Sequence, residues 1–265
     1  MKPIIALFTD FGMQDAYVAQ MKGAILSIDA GLTVMDLNHE VAAFDVRQAA
    51  YLLEASTRYL PAGSIVVTVV DPGVGTARRP VLCCTRTDRW FVGPDNGVLT
   101  NVLCLQGLRE AYELTETDYF LPHVSSTFHG RDIFGPVAAH LARGVPPAKF
   151  GPRTEALNTL PFNSPRMVGD TVVGEILHID RYGNIVTNVT PDLLAGLEVG
   201  DDLSFTIDGR RWTVPFCVTY GTQPAGRLVA LVSSGDTLEI ACTEGSAAAH
   251  GKAPPGVAIT FEHPL

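Results

Sequence analysis

A chain of 265 residues, 46% of them hydrophobic, can fill one large domain or two modest ones and is too apolar to be disordered. It carries 19 Lys and Arg against 28 Asp and Glu, a formal charge of −9, so it lacks the basic field that holds a phosphate backbone, which excludes nucleic acid as a partner. No run approaches the roughly 20 apolar residues of a membrane span, and the apolar start is cut at Thr9-Asp10, too early for a signal peptide. The expectation is a soluble, cytoplasmic chain with no membrane partner.

Up to about residue 145, short β-branched runs alternate with helical patterns, the mark of an α/β domain with a largely parallel sheet. Strands are predicted at 4–8, 32–37, 65–70 and 81–85. Between the first two, Val18, Met21, Ile25 and Ile28 recur at 3, 4, 3 spacing and share one face of a helix over 15–28. Val46, Ala49, Ala50 and Leu53 do the same before the third strand. Open α/β sheets place ligands beyond the carboxyl ends of their strands. Three of these ends are polar: Thr9-Asp10-Phe11-Gly12, Asn38-His39-Glu40 and Asp71-Pro72-Gly73-Val74-Gly75.

Pro146, Pro147, Pro152, Pro161 and Pro165 suit neither a helix interior nor a central strand. They predict a connection over 151–166, between an N-terminal α/β domain over 1–150 and a smaller C-terminal domain over 167–265. In the latter, strands are predicted at 171–179, 185–189, 202–207, 211–214, 228–232, 237–242 and 257–261, with Asp208-Gly209 as a hairpin turn and only 191–196 helical. This is the pattern of a small antiparallel β-barrel or sandwich. Cys83, Cys84, Cys104, Cys217 and Cys242 form no CxxC pair, which argues against a disulfide framework and a zinc site. They read as buried small hydrophobes in a reducing compartment, or else include a nucleophile.

The stretch Asp71-Pro72-Gly73-Val74-Gly75-Thr76-Ala77-Arg78-Arg79 follows an apolar strand, and its glycines let backbone approach a ligand closely. It lacks the Gly-Lys-Ser/Thr of a phosphate loop, and Arg78-Arg79-Pro80 leads into another strand rather than a helix. Read alone it is equally a tight turn with an exposed acid. Arg78, seven residues on, is near enough to fold back on Asp71. In Thr127-Phe128-His129-Gly130-Arg131-Asp132-Ile133-Phe134-Gly135-Pro136, His129 precedes an apolar helix whose early turn tolerates Pro136. His129 is an acid/base candidate, or else it or Asp132 caps that helix. An Asp, an Arg and a His on separate loops make a set in which carboxylate and imidazole handle a proton while guanidinium holds charge in place.

Asp10 and Asp15 flank Phe11-Gly12, where a carboxylate suits vicinal ribose hydroxyls, while Asp15 equally suits a helix N-cap or first turn. Gly93-Pro94-Asp95-Asn96-Gly97 reads as a turn before a helix. Asp180-Arg181-Tyr182-Gly183-Asn184 offers a carboxylate, an aromatic ring and an amide together, or simply a hairpin. Asp10, His39, Asp71, Asp95 and His129 fall into no HxH, HExxH or DxD spacing of a metal hydrolase.

Six ordered motifs together resemble a known family, the S-adenosyl-L-methionine (SAM) hydroxide adenosyltransferases, or SAM hydrolases, relatives of the fluorinating and chlorinating SAM enzymes. They are TDFG at 9–12, VVDPGVGTARRP at 69–80, VGPDNG at 92–97, TFHGRDIFGP at 127–136, IDRYGNIVTN at 179–188, and SSGDTLEIA at 233–241 with GSA at 245–247. The resemblance covers nearly the whole chain. It implies an N-terminal α/β domain, a C-terminal β-barrel and a homotrimer whose active sites lie where one subunit's N-terminal domain meets its neighbour's C-terminal domain. It implies no cofactor and no metal, SAM being the substrate. By the same resemblance Asp71, Arg78 and His129 match a water-activating triad and Asp10 a ribose-binding carboxylate. Asp180 and Ser234 fall where methionine is held, Asp15 near its amino group, Tyr182, Asn184 and Tyr220 around adenine, and Phe44 near the ribose.

The expected reaction is attack of activated water on ribose C5′, giving adenosine and L-methionine. A sulfonium carbon bears a neutral thioether leaving group, so the demand is on the nucleophile, which must be deprotonated or polarised and held in line at roughly 3 Å. Halogenating relatives lack the Asp, Arg and His combination, and fluorinases carry an extra loop where this chain has only 85–89. Thr243 stands where many relatives have Asn, and Gly235-Asp236-Thr237 replaces an aromatic-containing stretch, departures that bear on adenine binding. The alternatives are a halide-dependent SAM transferase, a non-catalytic SAM or adenosine sensor, and a metal-dependent hydrolase of a small acidic or phosphorylated substrate. Halide dependence, turnover and chelator sensitivity separate them.

Overall fold

In the computed structural model, which describes residues 3–251 and 254–262, the chain divides into two units, Met1–Leu160 and Pro161–Leu265. The first runs β1 (Ile4–Thr9), α1 (Tyr17–Ile28), β2 (Thr33–Asn38), α2 (Val46–Thr57), β3 (Ile65–Val69), β4 (Pro80–Thr85), β5 (Trp90–Pro94), α3 (Thr100–Gln106), β6 (Leu108–Glu113) and α4 (Gly135–Ala142). Its six strands lie in the order β2-β1-β3-β5-β4-β6. Pairing is parallel from β2 through β1 and β3 to β5, and antiparallel where β4 joins β5 and β6. The sheet is therefore mixed, parallel across its larger part.

Both faces of this sheet are covered, which is why β1 and β3 read as continuous apolar runs. Ile5, Leu7 and Val67 pack with Met21, Ile25 and Phe134 on one face, and Ala6, Phe8 and Val66 with Ala49, Leu53 and Val102 on the other. Truncating Ile25 or Leu53 to alanine removes about 2–5 kcal/mol of this packing. The unit's core thus holds β1 and β3 rigidly, and their carboxyl ends present Asp10 and Asp71.

Two strands of this unit escape the sequence reading. Trp90–Pro94 contains Gly93-Pro94, expected in a turn, but Pro94 closes β5, where a missing donor costs least. Leu108–Glu113 mixes charges with small residues, yet as an edge strand on β4 it buries only part of its length, chiefly Ala111 and Tyr112. The proline-rich stretch is tied to the first unit as far as Leu160. Thr154 N donates to Ala111 O at 2.9 Å, Asn158 N to Asp95 Oδ1 at 2.7 Å and Leu160 N to Thr100 Oγ1 at 2.9 Å.

In the second unit the described strands pair with one another antiparallel: β7 (Arg166–Val168), β8 (Thr171–Ile179), β9 (Ile185–Thr187), β10 (Asp202–Ile207), β11 (Arg210–Pro215), β12 (Leu228–Val232), β13 (Leu238–Cys242) and β14 (Ala258–Glu262). The order β11-β10-β14-β8-β9-β13-β12 curls so that Phe216, just past β11, bridges Ala230 of β12, and the barrel nearly closes around Ile176, Phe205, Ile240 and Phe261. Asp208 and Gly209 have φ of 48° and 73°, the left-handed pair that a two-residue hairpin needs.

Cys83, Cys84, Cys217 and Cys242 are buried, but Cys104 is exposed, a departure from the all-buried reading set by its place on the outer side of α3. Burial pushes the Cys83 thiol far up and that of Cys84 to about 12, so neither is a thiolate nucleophile at neutral pH. No helix among the described residues is long and apolar enough to cross a membrane.

Candidate active site

Beyond the carboxyl end of β3 the chain turns through Asp71, its strand end fixed by Asn96 Nδ2, which donates to Val70 O at 2.9 Å. The turn reverses at Gly75, whose φ is +74° and where a Cβ would fall on the Ser126 carbonyl. That reversal brings Arg78 back to Asp71. Arg78 Nε donates to Oδ1 at 3.0 Å and Oδ2 at 2.8 Å, and Nη2 donates to Oδ2 at 2.5 Å. The two side chains are only 4% and 8% exposed, so this is a buried ion pair that the bidentate geometry makes tolerable. Its neighbour Arg79 goes elsewhere: its Nη2 reaches Asp95 Oδ2 at 2.5 Å and Ala156 O at 2.6 Å, anchoring the loop's second stem. Adjacent guanidiniums therefore divide into a site group and a structural clamp.

His129 meets the pair from the other side, with Nδ1 2.8 Å from Arg78 Nη2. A guanidinium only donates, so Nδ1 accepts and the neutral ring carries its proton on Nε2. Burial, then the Arg78 charge, lowers the His129 pKa below its ordinary value, while Asp71, Asp132 and the Ser125 main chain pull it back. His129 sits at the head of a π-helical turn, Gly130–Phe134, that leads into α4. The capping alternative does not hold for it: His129 makes no side-chain cap bond there. Asp132, too, is turned inward, fully buried against Arg131 and Ser125.

Asp71 and His129 line a cavity of about 340 Å³, within the range of small-molecule sites, together with Asp10 and Phe44. Asp10 Oδ2 accepts from the Phe44 N–H at 2.9 Å. Phe44 has a left-handed backbone, φ 68°, and an exposed ring. Behind Asp10, Thr9 Oγ1 lies 2.8 Å from His39 Nδ1, His39 Nε2 lies 3.0 Å from Asp36 Oδ1, and the Gly12 N–H donates to His39 O at 2.7 Å. His39, buried at the end of β2, thus braces the Asp10 turn. Asp15 is not brought to this cavity: α1 begins only at Tyr17, and residues 13–16 ahead of it are exposed. Nor does Asp15 cap α1, whose N-cap is Ala16.

Sequence reasoning missed the aromatic lining. Phe11, Tyr17 and Phe128 form a three-ring cluster with centroids 5.4–5.6 Å apart. Phe11 and Phe128 sit next to Asp10 and His129 in the two motifs, a signal that was available; Tyr17 gave none beyond its place at the start of a helix.

The remaining candidates belong to the second unit. Asp180 Oδ1 accepts from the N–H groups of Tyr182 and Asn184, and Oδ2 from Asn184 Nδ2, all at 2.9 Å. Its carboxylate organises its own turn, as the hairpin reading has it, with Asn184 buried and Tyr182 exposed. Tyr220 Oη donates to Glu239 Oε1 at 2.9 Å, and Thr243 Oγ1 donates to Tyr220 O at 2.7 Å. Burial pushes Tyr220 up to about 12, and raises the pKa of Glu239, a buried acid that no motif singled out. Ser234 is exposed in the β12–β13 turn. The β9–β13 register puts that turn at the opposite end of β9 from Asp180–Asn184. Among the described residues no group of three or more His, Cys, Asp or Glu could hold a metal ion.

Residues 5–151 match the SAM hydroxide adenosyltransferase N-terminal domain and residues 174–260 the C-terminal domain of the same family. A protein of Thermus thermophilus named (R)-S-adenosyl-L-methionine hydrolase is 41% identical over 259 residues, covering 93% of this chain and 94% of its own. One of the same name from Salinispora tropica is 38% identical over 249 residues, covering 93% and 92%. A fluorinase of Nocardia brasiliensis is 30% identical over 288 residues, covering 97% and 96%. Among solved structures, an uncharacterized conserved protein from Thermotoga maritima superposes with a TM-score of 0.93 at 34% identity, over 97% of this chain and 99% of that one. With both domains matched in order and relatives of this identity along most of its length, the chain belongs to the SAM hydroxide adenosyltransferase family.

Proposed function

We propose that this protein hydrolyses SAM to adenosine and L-methionine, and that it takes the (R)-sulfonium epimer, the form in its relatives' names. The observation that carries the reading is the buried Asp71–Arg78–His129 cluster on a small-molecule cavity. Asp71 is its one anion. With Nδ1 of His129 taken by Arg78 and its Nε2 protonated, Asp71 is the group left to accept a proton from water. As that proton moves to Asp71, the water oxygen bonds to C5′ and the C5′–S bond breaks, its electron pair going to sulfur to give neutral methionine thioether. Arg78 holds Asp71 in place, and His129 holds Arg78.

The other cavity groups fit the rest of such a substrate. Asp10 keeps an oxygen for the vicinal ribose hydroxyls, with Phe44 beside it. The Phe11, Tyr17 and Phe128 rings suit a sulfonium cation. Asp180 and Ser234 are assigned to methionine, and Tyr182, Asn184 and Tyr220 to adenine, on the family resemblance; Asp15, exposed, is assigned to the amino group on that ground alone. The tight turn from Thr85 at the end of β4 to Trp90 at the start of β5 favours hydroxide over halide by the same resemblance. A cofactor-free reaction, assembly as a homotrimer and a cytoplasmic, reducing location belong to the same proposal, the trimer being tested by light scattering.

The activity is tested by incubating the purified protein with a mixture of the two sulfonium epimers and separating products and remaining SAM by chromatography. Adenosine and methionine in equal amounts, with the (R) epimer depleted first, are expected. Intact SAM with measurable binding would instead make the protein a sensor.

A further inference from the structure

We infer that Asp132, which lies outside the cavity lining, is the positioning residue that sets the geometry of the Asp71–Arg78–His129 cluster, acting through Ser125. The inference rests on the hydrolase reading for its kinetic consequence, though not for its structural one.

Asp132 is fully buried, and a buried carboxylate is tolerated only when its oxygens are matched. Oδ1 accepts from Arg131 Nε at 2.6 Å. Oδ2 accepts from Arg131 Nη2 at 3.1 Å and, more closely, from the Ser125 N–H at 2.8 Å and Ser125 Oγ at 2.7 Å. Ser125 Oγ in turn accepts from the Phe128 N–H at 3.1 Å, and the Asp132 carbonyl accepts from the Leu121 N–H at 2.9 Å. These bonds close the chain from Ser125 to Asp132 into a ring that contains His129, and the Ser125 main chain lies against the His129 imidazole.

The same strap governs the other half of the cluster. Ser126 carries the carbonyl against which the Gly75 turn is packed with no room for a Cβ, and that turn returns Arg78 to Asp71. Asp132 therefore fixes one segment that touches both the ring and the loop it must meet. Arg131, its counter-ion, is partly exposed, stacks its guanidinium 4.9 Å from the Phe128 ring centroid and reaches Gln20 Oε1 at 2.9 Å. A simple helix cap would need none of this. Displacing a reacting constellation by about 1 Å costs on the order of 10²-fold in rate, so loss of the strap should appear in turnover rather than in substrate affinity.

The test compares Asp132→Asn, Ser125→Ala and Ser125→Thr with the wild-type protein, using SAM kinetics, a thermal melt and long-range ¹H–¹⁵N spectra of histidine-labelled protein, the His129 signal being assigned by its loss in His129→Gln. Wild-type protein should show His129 with Nδ1 unprotonated and Nε2 protonated. Asp132→Asn should lower kcat on the order of 10²-fold and Ser125→Ala about 10-fold, with KM within about 2-fold and the single tautomer lost. Ser125→Thr, which keeps the hydroxyl, should restore both. If Asp132→Asn does not fold, the two Ser125 variants decide the matter alone. Folded variants that keep wild-type kcat and the Nε2–H tautomer would overturn the inference. A wild-type protein without SAM turnover would defeat the hydrolase reading, and the tautomer spectra would still decide the role of Asp132.

Discussion

Arg78 Nη2 lies 2.8 Å from Nδ1 of His129 while Nε and Nη2 of the same guanidinium hold Asp71. One cation thus commits the imidazole lone pair and fixes the carboxylate, which separates the roles of two residues that sequence alone leaves interchangeable. In the proposed reaction this leaves Asp71 to take the proton, with His129 as the acceptor that orients Arg78.

Substitutions should separate those roles. Asp71→Ala and His129→Ala should abolish turnover while leaving SAM binding, measured by calorimetry, within about 10-fold. His129→Gln keeps an acceptor for Arg78 and should retain measurably more activity than His129→Ala. Equal losses in the two His129 variants would return proton transfer to the imidazole, and unchanged rates in both alanine variants would remove the cluster from the chemistry.

The pH dependence follows from the direction of the His129 shift. Burial and the Arg78 charge hold its native pKa below the roughly 6.5 of an unfolded chain. The unfolded state then binds more protons than the native one, so this contribution to stability is complete above about pH 6.5 and is lost as pH falls through the native value. Arg78 likewise needs the neutral ring, so any acidic limb of kcat due to His129 should lie below pH 6.5 and disappear in His129→Gln. An acidic limb above pH 6.5 that vanishes in that variant would contradict the assignment.

Gly75→Ala should be costly although it adds one methyl group. The position has φ +74° and its Cβ would meet the Ser126 carbonyl. Backbone strain alone is worth about 1–3 kcal/mol, so the melting temperature should fall by several degrees and kcat should fall with it. A variant with unchanged melting and turnover would show that the loop does not depend on that close approach.

The fold was legible where burial is simple. β1 and β3 announce themselves as apolar runs, and α1 through the spacing of Val18, Met21 and Ile25. β5 and β6 were hidden because Gly93-Pro94 imitates a turn and Leu108–Glu113 carries three charges on an edge strand. At the site, the motif residues Asp71, Arg78 and His129 could be picked out, but their meeting depends on the Gly75 reversal, which spacing does not encode. Asp180 shows the converse limit: a carboxylate beside an amide looks like a ligand pair, and here the two bond each other. His39 and Glu239 were invisible as partners because each is buried against a residue distant in sequence, Thr9 and Tyr220, while the partners of Asp132 are near in sequence but its burial is not encoded by spacing.

In the second unit, Asn184 donates to Asp180 and holds the turn assigned to adenine. Asn184→Ala should therefore raise KM for SAM with kcat within about 3-fold. A pure loss of kcat at unchanged affinity would move Asn184 out of that role.

The central claim, that water attacks C5′ of SAM, is tested most directly by running the reaction in H₂¹⁸O, with and without added chloride or fluoride, and weighing the products by mass spectrometry. One ¹⁸O in the 5′-hydroxyl of adenosine, none in methionine and no 5′-halogenated nucleoside in either salt is the predicted result. Adenosine without the label, or a halide-dependent 5′-halo product, would contradict it.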